Sequence, residues 1–192
     1  DITLNESNVN EAPVAVNDTV SASEDTAATG NVLSNDSDVE GATLGVTGFT
    51  VGGTTYAAGA AATLPGVGTL VIASNGNFTF TPAANYNGPV PVVSYTASDG
   101  NGGTDTGDLK LGPVTAANDP PVATDGTFNA TIGTDLTGNA ITADAGSGID
   151  SDPNSDPLSL DPVSVGTFTT TQGGSITLLA DGSFTYTPPA TV

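Results

Sequence analysis

The run Thr69-Leu70-Val71-Ile72-Ala73-Ser74-Asn75-Gly76-Asn77-Phe78-Thr79-Phe80-Thr81-Pro82 spells a β-hairpin. Leu70 and Ile72 alternate with Thr69, Val71 and Ala73, and Phe78 and Phe80 alternate with Asn77, Thr79 and Thr81. Side chains alternate across a strand, so one face of this pair is apolar and the other mostly polar. Between the arms, Asn75-Gly76 predicts a type I′ turn.

The unit returns near the end of the chain, where Ile176 and Leu178 lead into Asp181-Gly182 and then Phe184-Thr185-Tyr186-Thr187-Pro188. Gly182 lies 106 positions after Gly76. Asn10-Glu11-Ala12-Pro13-Val14-Ala15 returns as Asn118-Asp119-Pro120-Pro121-Val122-Ala123, an offset of 108, and Gly30-Asn31-Val32-Leu33 returns as Gly138-Asn139-Ala140-Ile141 at the same offset. Ordered markers at one spacing make a tandem repeat. No stretch carries a sustained i, i+3, i+4 apolar pattern, while 25 Gly, 13 Pro and abundant Thr favour strands and turns.

Strands in the first repeat are predicted at 15–23, 29–33, 42–51, 68–73, 77–82, 90–98 and 104–111. Short strands at this density point to an antiparallel β-sandwich. The repeats divide as 10–111 and 120–192, with a proline-stiffened linker at 112–119. Pro188 matches Pro82 and nothing after it matches Asn85 through Leu111, so the second repeat is expected to lack its last two strands. Either the natural chain continues past Val192 or another chain supplies those strands. Asp1-Ile2-Thr3-Leu4 is similar to Asp108-Leu109-Lys110-Leu111, so residues 1–9 are expected to be the final strand and linker of a preceding repeat.

The composition excludes most catalytic chemistry. There is no His, Cys, Met or Trp and one basic residue, Lys110, against 21 acidic ones. Thiol nucleophiles, imidazole bases and N/S metal sites are all absent, and no enzyme is expected. A net charge of −20 disfavours nucleic acid and anionic membrane surfaces, and no apolar run approaches the roughly 20 residues of a spanning helix. The oxygens that remain suit hard cations such as Ca²⁺.

The carboxylates are clustered. None occurs from Gly41 to Ser98, whereas Glu24, Asp25, Asp36, Asp38 and Glu40 precede that gap and Asp99, Asp105 and Asp108 follow it. In Asn35-Asp36-Ser37-Asp38-Val39-Glu40-Gly41, alternate side chains can share an ion; the counterpart, Asp150-Ser151-Asp152-Pro153-Asn154-Ser155-Asp156, is the same loop with an insertion. The first resembles the opening of an EF-hand loop, but its twelfth position is Thr47 and no helix flanks it.

Glu24-Asp25-Thr26, Asn35-Asp36-x-Asp38, Asn75-Gly76-x-Phe78-x-Phe80-x-Pro82, Asn85-Tyr86-Asn87-Gly88 and Ser98-Asp99-Gly100-Asn101-Gly102, following Pro-Val-Ala after Asn-Glu or Asn-Asp, resemble the bacterial cadherin-like (immunoglobulin-like) repeat of RTX-type surface adhesins. The resemblance implies an all-β protein of tandem immunoglobulin-like or cadherin-like sandwiches, extracellular or at the cell surface. It implies Ca²⁺ bound where Asp36, Asp38 and Asp99 meet the incoming Asn10-Glu11, with Glu24 similar to a ligand at the far end of a domain beside Asp25. Asn118 and Asp119 match the linker Asn-Asp of that family. The candidate metal ligands are therefore Asn10, Glu11, Glu24, Asp25, Asp36, Asp38, Glu40, Asp99, Asn118, Asp119, Asp150, Asp152 and Asp156. The cadherin Leu-Asp-Arg-Glu segment is missing, so fewer ions per junction are expected. The implied role is a Ca²⁺-stiffened stalk, with neighbouring repeats of the same chain as partners; the alternative is a filament subunit assembled by strand donation between copies.

Overall fold

The computed structural model describes residues 9–144, 146 and 148–189. The chain divides into two compact units, Asp1–Ala117 and Asn118–Val192. The strand expected at residues 1–9 falls outside the described residues but for Val9.

The first unit is an antiparallel-rich sandwich. Its strands are β1 (Asp18–Ser23), β2 (Ala28–Asn31), β3 (Gly45–Val51), β4 (Thr54–Ala57), β5 (Ala61–Leu64), β6 (Gly68–Ile72), β7 (Asn77–Pro82), β8 (Val93–Ser98) and β9 (Thr104–Thr115). One sheet runs β1-β9-β8-β3-β4, with β1 parallel to β9, and the other runs β2-β7-β6-β5. Inward residues alternate as the sequence dictates: Leu70, Ile72 and Phe80 from one sheet and Val93, Tyr95, Ala97 and Leu109 from the other are all fully buried. Phe49 and Tyr56 stack at 5.4 Å between ring centres.

The hairpin forms with another turn. Asn75 does not take a left-handed conformation; Gly76 does, with φ +82°. Gly76 N–H donates to the Ala73 carbonyl (3.0 Å) and Ala73 N–H to the Asn77 carbonyl (2.8 Å). This is a longer loop closed by a left-handed glycine, in place of the expected type I′ turn. A Cβ at Gly76 would stand 2.6 Å from Asn31 Oδ1 and 2.7 Å from Leu33, so neighbouring side chains enforce the glycine too. The 179–183 loop repeats the pattern, with Gly182 N–H donating to the Leu179 carbonyl.

Strand β9 continues through Gly112–Thr115, which the sequence assigned to the linker. Pro113 is tolerated because pairing with β8 has ended at Leu109 and pairing with β1 is irregular between Val20 and Ala22.

The second unit contains β10 (Leu136–Asn139), a short 3₁₀ turn (Pro162–Ser164), β11 (Gly166–Thr169), β12 (Ser175–Leu178) and β13 (Ser183–Thr187). They form one sheet, β10-β13-β12-β11, whose β10, β13 and β12 match β2, β7 and β6 in register. Phe184 is buried, with Phe128 edge-on against it at 4.8 Å. Its neighbour Tyr186 is only partly covered.

Candidate cation site and carboxylate network

Three loops of the first unit are tied together by hydrogen bonds: the segment before β1, the β2–β3 loop and the β8–β9 loop. The Asn10 amide donates to Asp99 Oδ2 (2.7 Å), and Glu11 N–H donates to Glu40 Oε2 (3.2 Å). Val14 and Ser37 form an isolated bridge, and Ala15 N–H donates to Asp105 Oδ2 (2.9 Å). Asp99 is buried, and its Oδ1 accepts from Asn101 N–H (2.7 Å) and Gly103 N–H (3.0 Å). The Asn10 amide first, then the Asn101 N–H, hold the Asp99 carboxyl below its ordinary value. Ala15 N–H does the same for Asp105.

Asp38 accepts from Glu40 N–H (3.1 Å) and Ala42 N–H (2.9 Å) through Oδ1. Its Oδ2 is buried with no hydrogen-bond partner among the described residues. Asp36 points elsewhere. Its Oδ1 accepts from Val16 N–H (2.7 Å), and both its oxygens lie 3.0 Å from the hydroxyl of Tyr95, which also reaches the Val16 carbonyl at 3.2 Å. Asp36 thereby fastens the β2–β3 loop to the centre of β8. Burial, then the hydrogen bond and charge of Asp36, hold the Tyr95 hydroxyl protonated far above its ordinary range.

Asp18 stands beside this pair. Burial, and then the Asp36 charge, raise its carboxyl above the ordinary 3.8 against hydrogen bonds from Tyr95 and Asn35, and its Oδ2 is buried with no hydrogen-bond partner among the described residues. A raised value means that ionisation disfavours the folded state. The cost is present above the folded-state value and gone below the unfolded one. In chelator at pH 7, Asp18→Asn should therefore raise the melting temperature of the first unit by about 2 °C after allowance for solvent screening. Below the ordinary aspartate range the gain should vanish; a gain that persists there in thermal scans would assign the effect to packing instead of charge.

Glu24 is 1% exposed; its Oε1 accepts from Ala117 N–H (2.6 Å) and its Oε2 has no partner among the described residues. Asp25 is exposed at φ +58°, a turn position. Glu24 therefore stands at the opposite end of β1 from the loops around Asp99.

In the second unit the corresponding loop makes the same contacts. Thr124 N–H donates to Asp150 Oδ1 (2.7 Å), as Val16 does to Asp36, and Val122 bridges Ser151 as Val14 bridges Ser37. Asp152 accepts from Asn154 N–H (2.8 Å) and Asp156 N–H (3.1 Å), as Asp38 does from Glu40 and Ala42. Asp119 N–H donates to Asn154 Oδ1 (2.6 Å), where Glu11 uses Glu40, and the Asn118 amide bonds the Asp119 carbonyl. The inserted residues thus lie before Asp150. Glu24 has no acidic counterpart: the equivalent position is Ile132.

Among the described residues no three Asp or Glu side chains gather into a group that could hold a metal ion. Tyr95, Asp18 and Asp105 complete the network without having been singled out as site residues in the sequence. For Tyr95 the signal was its parity in Val93-x-Tyr95-x-Ala97, which turns the hydroxyl inward.

A profile described as the bacterial Ig domain matches residues 10–112 and again 118–192. Among solved structures, an endo-fucoidan hydrolase of glycoside hydrolase family 107 is similar at 15% identity and a TM-score of 0.38, over 93% of this chain and 24% of that one. This chain spans about a quarter of the hydrolase's length. The N-terminal Ig1-2 module of the Drosophila receptor protein tyrosine phosphatase DLAR is similar at 12% identity and a TM-score of 0.31, over 92% of this chain and 97% of that one. No curated protein matches.

Proposed function

Since the chain belongs to the bacterial Ig domain family, matched twice along its length, we propose that it is a structural spacer of an extracellular adhesin stalk, stiffened by Ca²⁺ at the Asp38 and Asp99 end of its first unit. Domains of this family are usually extracellular or surface-associated and typically non-catalytic. Among the described residues no helix is long and apolar enough to cross a membrane.

One observation carries the calcium reading: Asp38 Oδ2 is buried with no hydrogen-bond partner among the described residues, in a chain with one basic residue. Burying an unpaired carboxylate oxygen is costly, and a bound cation would supply a counter-charge that offsets that cost. The donor set is all oxygen, which suits Ca²⁺. Asp38, Glu40 and Asp99 would hold the ion together with Asn10 and Glu11; the ion supplies the positive charge that the chain lacks. Because these carboxylates do not already form a group, binding has to draw the exposed Glu40 from its bond with Glu11. Asp36 serves the fold through Tyr95.

Calcium titration by calorimetry tests this. The wild-type chain should bind with a dissociation constant near 10⁻⁴ to 10⁻³ M, roughly the extracellular range. The Asp38→Asn, Asp99→Asn double variant should lose at least one site, and an unchanged stoichiometry would move the ligands elsewhere. A second reading, a filament subunit joined by strand donation, draws on the β10-β13-β12-β11 sheet, which has no second sheet packed on it among the described residues.

A further inference from the structure

The segment that enters the first unit runs parallel to the segment that leaves it, and hydrogen bonds join the two well beyond the strands themselves. Backbone pairing covers only β1 and β9, from Asp18 opposite Leu109 to Ser23 opposite Thr115. Before it, the Asn10 amide donates to Asp99 Oδ2 (2.7 Å), Ala15 N–H donates to Asp105 Oδ2 (2.9 Å), and Asp108 N–H donates to Asn17 Oδ1 (2.8 Å). After it, Glu24 N–H donates to the Thr115 carbonyl (3.0 Å) and Ala117 N–H donates to Glu24 Oε1 (2.6 Å). Residues 10–24 are thus fastened along residues 99–117, and side-chain oxygens serve as rungs on both sides of the backbone ladder. Three of these rungs end on carboxylates, and a bond to a charged acceptor is about twice as strong as a neutral one.

Direction decides what this ladder can do. β1 and β9 are parallel, so the polypeptide enters at the Asn10 end of the ladder and leaves at the Ala117 end. A pull on the entry and exit of the unit drags the two segments past each other along the strand axis, and every rung resists at once. Were the segments antiparallel, entry and exit would lie together and the same pull would open the rungs one by one. Among the described residues β1 lies at the edge of its sheet, with β9 as its one neighbour, so slip along this pair frees the entry segment. We infer that the first unit bears tension, with the pairing of 10–24 to 99–117 as the shear clamp that meets it and Glu24 as the lock at its exit. Glu24 bonds both the Thr115 carbonyl and the Ala117 N–H and is 1% exposed, so water does not compete for those bonds. The purpose of the clamp rests on the spacer reading. The clamp itself needs no calcium, since only the Asn10–Asp99 rung involves the ligands proposed above.

The chain contains no cysteine, so introduced ones give unique attachment points for single-molecule pulling of the whole chain in chelator. Val9→Cys with Ala116→Cys pulls the ladder in shear, and Val9→Cys with Asn101→Cys peels it from the Asn10 end. All three positions are exposed. The same bonds break in both geometries, so a difference in force reads their direction and not the stability of the unit. At one loading rate, shear should need at least about twofold the force of peeling. Glu24→Ala should lower the shear force and leave the first peeling force unchanged, because peeling starts at the other end. Glu24→Gln, which keeps an acceptor for Ala117 N–H, should lie between Glu24→Ala and the wild type in shear. Equal forces in the two geometries would overturn the inference and leave the calcium reading untouched. Equal weakening of both forces by Glu24→Ala would make Glu24 a residue of general stability and overturn its role as the lock.

Discussion

Replacing Phe80 with alanine should destabilise the first unit by about 3–5 kcal/mol, while Tyr186→Ala at the matching position of the second unit should cost about 1 kcal/mol. Both residues sit on the same strand of equivalent hairpins, Phe80 opposite Leu70 and Tyr186 opposite Ile176. They differ in what lies over them. Phe80 is 0% exposed in the sandwich core, so its removal leaves a cavity that the surrounding strands cannot fill. Tyr186 is partly exposed, and water takes most of the vacated space. The loss predicted for Phe80 is a large share of an ordinary domain's stability, so the variant's first unit should melt well below that of the wild type. Denaturant titration of each variant measures both costs; equal costs would mean that the second unit has a closed core.

The second large effect is predicted at Gly107. A Cβ there would lie 2.5 Å from the Tyr95 hydroxyl and 2.6 Å from its ring, and Tyr95 is fully buried and cannot swing away. Gly107→Ala must push the ring off Asp36, combining overpacking with the loss of a hydrogen bond to a charged group, together about 3 kcal/mol. Because Tyr95 fastens the β2–β3 loop, amides from Asn35 to Gly41 should exchange faster in this variant. A Tyr95→Phe, Gly107→Ala double variant should recover part of the overpacking loss, since the hydroxyl that clashes is gone. If the single variant melts like the wild type, Tyr95 is not held as described.

The hairpin 69–82 and its repeat were legible because apolar alternation is a local property of a half-buried strand, and the same pattern put Leu70, Ile72, Phe78 and Phe80 in the core. Strands β4 and β5 were missed: residues 52–64 are Gly, Ala and Thr with a single Tyr and a single Leu, and give no alternation to read. The turn was misjudged because Asn-Gly serves two loop geometries, and the choice depends on how Gly76 meets Asn31 and Leu33, which are distant in sequence. The carboxylates show the same limit. Their clustering in loops was visible, but that Asp36 would bind Tyr95 and Glu24 would be buried against Ala117 are tertiary facts with separations of 59 and 93 residues.

The most direct measurement on the calcium-stiffened spacer is a calorimetric melt of the whole chain in EDTA and again in millimolar Ca²⁺. One extracellular-type site at tenfold excess over its dissociation constant adds about 1.4 kcal/mol, which raises the melting temperature of a unit this size by about 5 °C. The first unit should show that rise, and Asp38→Asn should abolish most of it. Superimposable melting curves in the two buffers would contradict the account.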